Sequence, residues 1–240
     1  MKNLKTMLIA AVAISALITG NLFAGSFGVG LGGHLASITA DGTETPGGVD
    51  STTDNSVETA TAGNTAFLGS MFAEYNFGDS EVFTLGIDYI PGDADVNSKN
   101  ISRTDAAAHA TDDNDQGGTK TANATISDHL TYYAEMVIGQ GVYAKIGYTT
   151  LDVVTNDTTT STGTDSKYGN TSLNAYTFGL GQKGTFGDNG GFYKLEAYMT
   201  DYETLNLTGT GGSTTGTSTS SKVSANLDVM GAAIRVGYKF

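Results

Sequence analysis

The sequence predicts an all-β fold, an eight-stranded antiparallel up-and-down transmembrane β-barrel with short turns at one end and long loops at the other. Three observations predict it. Apolar and polar residues alternate with period two in eight segments. The connections between those segments alternate between short and long. The chain also ends on such a segment, with an aromatic last residue, Phe240. A strand turns successive side chains to opposite faces, so period two marks a sheet with one apolar face. In the closing segment Met230, Ala232, Ile234, Val236, Tyr238 and Phe240 fall on one face, and Gly231, Ala233, Arg235, Gly237 and Lys239 on the other.

At the other end Lys2 and Lys5 precede the apolar run 7–18, and the small residue Ala24 follows Leu22 and Phe23. This is the three-part pattern of a cleaved secretory signal peptide, so residues 1–24 are expected to be leader and 25–240 barrel. The run is shorter than the roughly 20 residues a helix needs to span a bilayer, which leaves any crossing to strands. Without Cys the chain has neither disulfides nor thiolate ligands, and no metal site or other cofactor is expected. A net charge of -13 argues against a nucleic-acid partner, which needs a basic footprint. With no Trp, the 12 Tyr and 10 Phe must supply any aromatic belt.

The first strand, 26–38, sends Phe27, Val29, Leu31 and Leu35 out and Gly28, Gly30, Gly32 and His34 in. The second, 66–77, faces Phe67, Met71, Ala73, Tyr75 and Phe77 out, with Ser70, Phe72, Glu74 and Asn76 in. The third, 82–90, has Phe83, Leu85, Ile87 and Tyr89 against Thr84, Gly86 and Asp88. The fourth, 129–138, has Tyr132, Ala134, Met136 and Ile138 against Tyr133, Glu135 and Val137. The fifth, 142–151, has Val142, Ala144, Ile146 and Tyr148 against Tyr143, Lys145, Gly147 and Thr149. The sixth, 173–186, has Tyr176, Phe178 and Leu180 against Thr177, Gly179, Gly181 and Lys183. The seventh, 192–207, has Tyr193, Leu195, Ala197 and Met199 against Lys194, Glu196, Tyr198 and Thr200. The closing strand is the eighth.

The turns at 77–82, 138–142 and 186–192 are short, whereas 39–65, 91–128, 152–172 and 208–222 are long. Short turns on one side and long loops on the other, with an even strand number, fit an outer-membrane barrel with both termini in the periplasm. Ten strands would require a further hairpin within 91–128. The long loops are rich in Thr, Ser, Gly, Asn and Asp, a composition expected to form no core of its own, with strands running past the membrane in places.

Face assignment sorts the charges. Glu74, Asp88, Glu135, Lys145, Lys183, Lys194, Glu196, Arg235 and Lys239 all fall inward, and the apolar stripes carry none. A charge on the lipid face at mid-bilayer costs about 2–4 kcal/mol, so this sorting is what the fold requires. Most acids lie in or beside the long loops, making the negative charge an external property. Pairing Ile138 with Val142 sets Glu135 opposite Lys145, and pairing Phe186 with Tyr193 sets Lys183 opposite Glu196. Two opposite-charge pairs are therefore expected inside an interior that eight strands make just wide enough for side chains to fill.

Leader, eight strands, charged interior and terminal Tyr238 and Phe240 together resemble the small outer-membrane barrels of the OmpA, OmpX and opacity type. The resemblance implies a bacterial outer-membrane location among lipid and lipopolysaccharide, a monomer, and recognition of the closing strand by the barrel assembly machinery, with Tyr238 and Phe240 as the signal. It also implies that Glu74, Glu135, Lys145 and Arg235 can act as an interior salt-bridge gate, against the alternative of static structural pairs.

Other motifs are weaker. Residues 28–33 satisfy G-x-G-x-x-G, but no strand precedes and no helix follows, so nucleotide binding is not expected. Inward glycines there instead make room for Phe72, Arg235 and Lys239. The run Asp112, Asp113, Asn114, Asp115 lacks the Glu a calcium loop needs, Asn123 standing in its place. His34 and His129, with Ser127 or Asp128 nearby, supply the residue types of a hydrolase or acyltransferase without its spacing. The expected function is a non-enzymatic surface role through acidic loops. A small channel past the inward glycines Gly30, Gly86, Gly147, Gly179 and Gly181 is the alternative, and a rim enzyme ranks below both.

Overall fold

In the computed structural model, residues 25–45, 57–78, 80–97, 101–105, 118–159, 168–209 and 222–240 are described, and every regular element among them is a strand. The expected leader, the acidic run at 112–115 and the Ser/Thr-rich stretch 213–221 lie outside the described residues. The strands are β1 (Gly25–Thr45), β2 (Glu58–Phe77), β3 (Phe83–Ile90), β4 (Ala94–Asp95), β5 (Ile101–Asp105), β6 (Gly118–Gly139), β7 (Val142–Thr159), β8 (Thr171–Phe186), β9 (Gly191–Tyr202), β10 (Leu205–Thr208) and β11 (Lys222–Lys239). Eight form an antiparallel wall in the order β1-β2-β3-β6-β7-β8-β9-β11. β11 then pairs back onto β1 from Gly28↔Lys239 to Thr45↔Lys222, which closes the ring. The aromatic terminus takes part, because the Phe240 amide donates to the Phe27 carbonyl at 2.8 Å.

The interval 91–128 does contain further strands, β4 and β5, but among the described residues both pair with β6. They lengthen the β3–β6 hairpin outward, and the wall stays at eight. The seventh segment is not continuous to residue 207. The Glu203 amide donates to the Asn174 carbonyl, its carboxylate accepts from Asn174, and β10 resumes on β11 after a one-residue register shift.

Several strands greatly exceed a membrane crossing. β1, β2 and β6 run for 21, 20 and 22 residues, where about 9–11 suffice. The surplus builds an outer storey whose polarity is inverted. Along β1 the inward residues change from Gly28, Gly30, Gly32 and His34 to Ala36, Ile38 and Ala40. Along β7 they change from Lys145 and Thr149 to Leu151 and Val153, and along β11 from Lys239 and Arg235 to Val229 and Leu227. Ile38, Val96, Ile126, Leu151, Val153, Leu173, Tyr202 and Leu227 are buried together, with Leu68, Ala66 and Leu205 packed against them. The expectation that the long connections form no core is corrected here. Their flanks are strands, and their alternate residues are apolar.

One strand needs a device to take part. Below residue 130 of β6 the inward parity is odd (Glu135, Tyr133, Thr131), yet above it Ile126 and Ala124 must turn in. The register breaks between Ser127 and Leu130, with Asp128 at φ 51°. This bulge flips the parity, and Asp is among the few residues that accept the left-handed conformation readily. The Asp128 carboxylate also accepts the Tyr89 hydroxyl at 2.9 Å.

Outside, the lower storey is apolar. Leu31, Leu35, Phe67, Met71, Ile146, Phe178, Leu180, Met199, Met230 and Ile234 are exposed. Tyr132, Tyr148 and Tyr176 form a row across three adjacent strands at its outer margin. Tyr75, Phe77, Phe83, Tyr238 and Phe240 cluster at its inner one. An apolar band between two aromatic girdles is the signature of a membrane-spanning barrel wall. Among the described residues no helix is long and apolar enough to cross a membrane, which bears on helical crossing alone.

Candidate functional site in the lumen

The lower lumen holds the inward charges in two clusters. In the first, Lys194 from β9 reaches across the barrel to Glu74 of β2 at 2.5 Å and Glu135 of β6 at 2.6 Å. The Tyr133 hydroxyl donates to Glu74 at 2.9 Å. In the second, Lys145 pairs with Glu196 at 2.9 Å, and Glu196 accepts the Tyr143 hydroxyl at 3.0 Å. Arg235 lies 3.1 Å from Glu196 through Nη1 and donates to Asp88 through Nη2 at 2.6 Å and Nε at 3.0 Å. All seven ions are buried. Ions removed from water persist only when paired and hydrogen-bonded, and each of these is. The Lys145 ammonium also lies 4.7 Å from the Tyr133 ring centroid, a cation–π contact.

The inward placement of all nine charges is as the sequence predicts, but their partners are not. Glu135 does stand opposite Lys145 in the backbone register. Its carboxylate nevertheless binds Lys194, and Lys145 binds Glu196 two strands away. The Lys183–Glu196 register is overturned. Phe186 pairs with Gly191 around the turn 187–190, where Gly187 and Gly190 take φ 66° and 89°. Lys183 therefore faces Lys194, and Glu196 faces Gly181. The shift is two residues, so every inward assignment survives. The two opposed lysines diverge, Lys183 turning to the carbonyl of Glu81 at 3.1 Å.

Of the inward glycines named above, Gly30, Gly86 and Gly181 are covered by aromatic rings, while Gly147 meets Thr131 and Thr177 and Gly179 meets Glu196 and Lys145. Each of several lies directly opposite an aromatic residue whose ring folds over it: Gly30 under Phe72, Gly86 under Tyr133, Gly181 under Tyr143 and Gly237 under Phe192. A Cβ at Gly86 or Gly181 would fall 2.4 Å from the tyrosine Cζ. The rings occupy the space that the missing side chains vacate, as in the cross-strand rescue of glycine by aromatics. At Gly32 the neighbours are Ser70 and Arg235, so room for Phe72 and Arg235 is what the first-strand glycines provide; at Gly28 the neighbours are Phe192 and Glu74.

Above the ions, Thr131, Thr149, Thr177 and Thr200 link hydroxyl to hydroxyl around four adjacent strands at 2.8, 2.8 and 2.9 Å. His34 sits at this level. Its Nε2 lies 2.9 Å from Ser70 Oγ and 3.5 Å from Asp88 Oδ2. Serine, histidine and carboxylate thus do meet, but both contacts use the same ring nitrogen, whereas an acyl-transfer triad needs the carboxylate on Nδ1 to orient the base. The adjoining cavity, lined by His34, Asp88, His129, Thr177, Arg235 and others, has a volume of about 20 Å³, room for about one water. His129 and Asp128 belong to the β6 bulge, and the described residues contain no metal-holding cluster of His, Asp and Glu.

A residue that sequence reading passed over completes the inner mouth. Glu81, in the β2–β3 turn, accepts the Ser26 hydroxyl at 2.9 Å and pairs with Lys239 at 2.5 Å. Partial burial raises its pKa, but the hydrogen bonds from Lys239 and Ser26 and the charges of Lys239 and Lys183 outweigh that and hold it below the ordinary glutamate range. A turn position gives no inward or outward parity, so no sequence signal marks it.

No protein-family model and no curated protein matches the chain. Among solved structures it is similar to the outer-membrane protease OmpT of Escherichia coli, at 8% identity and TM-score 0.44 over 92% of this chain and 99% of that one. It is also similar to outer membrane protein AlkL in lipid bilayers, at 13% identity and TM-score 0.37 over 92% and 93%. A third is the translocator domain of the autotransporter NalP of Neisseria meningitidis, at 12% and 0.35 over 100% and 97%. Likeness at these identities and TM-scores assigns no role to any residue. With its ring closed by β1 and β11, apolar outside and ionic inside, the chain has the fold of a small bacterial outer-membrane β-barrel.

Proposed function

We propose that the protein is a non-conducting, non-enzymatic barrel of the outer membrane that carries a rigid outer storey, whose acidic exterior is the interacting surface. The observation that carries this reading is the polarity inversion. Where a pore would need a continuous polar lumen, the inward faces of β1, β2, β6, β7, β8 and β11 converge on the apolar core around Ile38, Leu151 and Leu227. Exposed Asp41, Asp95, Asp201, Glu203 and Asp228 lie on the outside of the same strands or beside them. In this reading the short turns face the periplasm, lipid and lipopolysaccharide surround the aromatic-girdled belt, and the protein acts as a monomer. The buried ions serve as structural pairs.

The test is single-channel recording of the refolded mature chain in a planar bilayer. Silence from protein that retains heat-dependent gel mobility is the expected result. Steady conductance would overturn the reading and make the charged lumen a gated pore.

A further inference from the structure

Among the described residues Glu81 is a lumen-facing acid that belongs to a turn, and its surroundings show a device that the membrane wall does not need. The turn is held in an unusual shape. Glu81 takes φ 47°, a left-handed conformation that Gly, Asn and Asp adopt far more readily than Glu, and its amide bonds back to the Gly78 carbonyl at 3.1 Å. A residue kept in such a conformation invites the question of what its side chain reaches.

The carboxylate reaches two strands that are distant in sequence, β1 and β11, and the backbone carbonyl of the same residue holds a third, β8. A one-way chain of donors ends on the carboxylate: Thr84 Oγ1 to Asn76 Oδ1 at 2.7 Å, Asn76 Nδ2 to Ser26 Oγ at 3.4 Å, and Ser26 Oγ to Glu81 Oε1 at 2.9 Å. The other carboxylate oxygen takes Lys239 of β11. Lys183 of β8, from the far side of the ring, donates to the Glu81 backbone carbonyl. Ser26 and Lys239 lie on the two strands whose pairing closes the barrel, so these bonds complete only after closure. The bolt also lies across the mouth. Directly above it the Lys239 ammonium is 5.5 Å from the Phe192 ring centroid, and Phe192 packs edge-on against Phe72 at 5.9 Å.

We propose that Glu81 is a periplasmic latch: it holds the β2–β3 turn over the inner mouth of the lumen, pinned to the closing seam by Ser26 and Lys239 and to the opposite wall by Lys183. This is independent of what the outer storey binds. Opening the latch leaves the ion clusters and the apolar core in place and exposes the mouth layer of Asn76 and Thr84, both fully buried when it is shut.

The chain has no cysteine, so Thr84→Cys supplies a single reporter. Its labelling rate with a small water-soluble thiol reagent is measured in the full mature barrel, with and without Glu81→Gln. The latch predicts labelling faster by about tenfold or more in the Glu81→Gln chain, the factor expected from losing a charge-assisted hydrogen bond. Heat-dependent mobility verifies that both chains are folded. Equal rates in two folded barrels would overturn the latch. Should Glu81→Gln not fold, Lys239→Met leaves the turn and the Ser26 bond in place and carries the same test, with faster labelling supporting the latch and an unchanged rate overturning it.

Discussion

Lys194 offers the sharpest test of how the lumen is held. Its ammonium is fully buried and is shared by Glu74 at 2.5 Å and Glu135 at 2.6 Å. In Lys194→Met the two carboxylates lose their common cation and face each other in a buried site. Removing one partner of a buried ionic group costs about 3–5 kcal/mol, because the remaining charge stays buried. Adding Glu135→Gln removes one of the stranded charges and should return about 1–3 kcal/mol, the size of coupling expected for residues in one network. The assay is reversible urea unfolding in micelles or lipid, followed by gel mobility, run as a double-mutant cycle. A second cycle on Lys145 and Glu135 distinguishes backbone register from side-chain contact. These two are cross-strand neighbours in the ladder, but Lys145 binds Glu196. Coupling should be larger for Lys194–Glu135 than for Lys145–Glu135. The reverse order would refute the partner assignment and restore pairing along the wall.

Gly181→Ala should cost about 1–3 kcal/mol by overpacking, since its Cβ would lie 2.4 Å from the Tyr143 ring and 2.5 Å from the Leu195 carbonyl; Tyr143→Leu in the same chain should recover part of that in the same unfolding assay. Leu151→Ala, at a site 2% exposed in the outer core, should cost about 2–5 kcal/mol, whereas Leu31→Ala, 67% exposed on the membrane belt, should cost much less. Equal losses at the two would mean that the outer storey is not packed. Glu81 has a pKa lowered on folding, so its contribution is full above the ordinary glutamate range and is lost as pH falls toward the lowered folded value. The stability advantage of the parent over Glu81→Gln should therefore shrink through that acid range and vanish below it, as read by mobility shift against temperature at stepped pH. An advantage that does not vary with pH would exclude the ion pair as its source.

The strand faces were legible because period two is a local property. Each of Glu74, Asp88, Glu135, Lys145, Lys194, Glu196 and Arg235 follows from the parity of its own segment. Partner choice is not local. It depends on which strands face each other across the closed ring, and an error of two residues in one turn, 187–190, left every face correct while reassigning Lys183 and Glu196. The glycine–aromatic contacts, such as Gly86 with Tyr133, have the same origin, since neither residue marks the other until the register is set. The β6 bulge was hidden for a further reason. Ala124, Ile126, Leu130, Tyr132, Ala134 and Met136 share one parity that only Asp128 interrupts, so the alternation itself does not say that Ile126 faces the core while Met136 faces lipid. Asp128 makes that change through its backbone conformation.

The two polarities on one set of strands set a physical constraint on function. Apolar-out and polar-in suits lipid, and polar-out with apolar-in suits water, so the level where they exchange fixes where the membrane ends. That level carries His34, Ser70 and the linked Thr131, Thr149, Thr177 and Thr200, side chains that meet ions below and apolar groups above while satisfying their own hydroxyls. On the proposed reading, the packed apolar core interrupts the continuous wet path a channel requires. It also makes a stiff connection between the membrane wall and the outer surface. Rigid presentation favours binding because less freedom is lost on contact. If the acidic exterior is what this barrel offers to its surroundings, then loosening the outer core by Leu151→Ala should weaken any such contact while leaving the membrane-embedded ion clusters, and the barrel's resistance to heat in detergent, closer to those of the parent than Lys194→Met does.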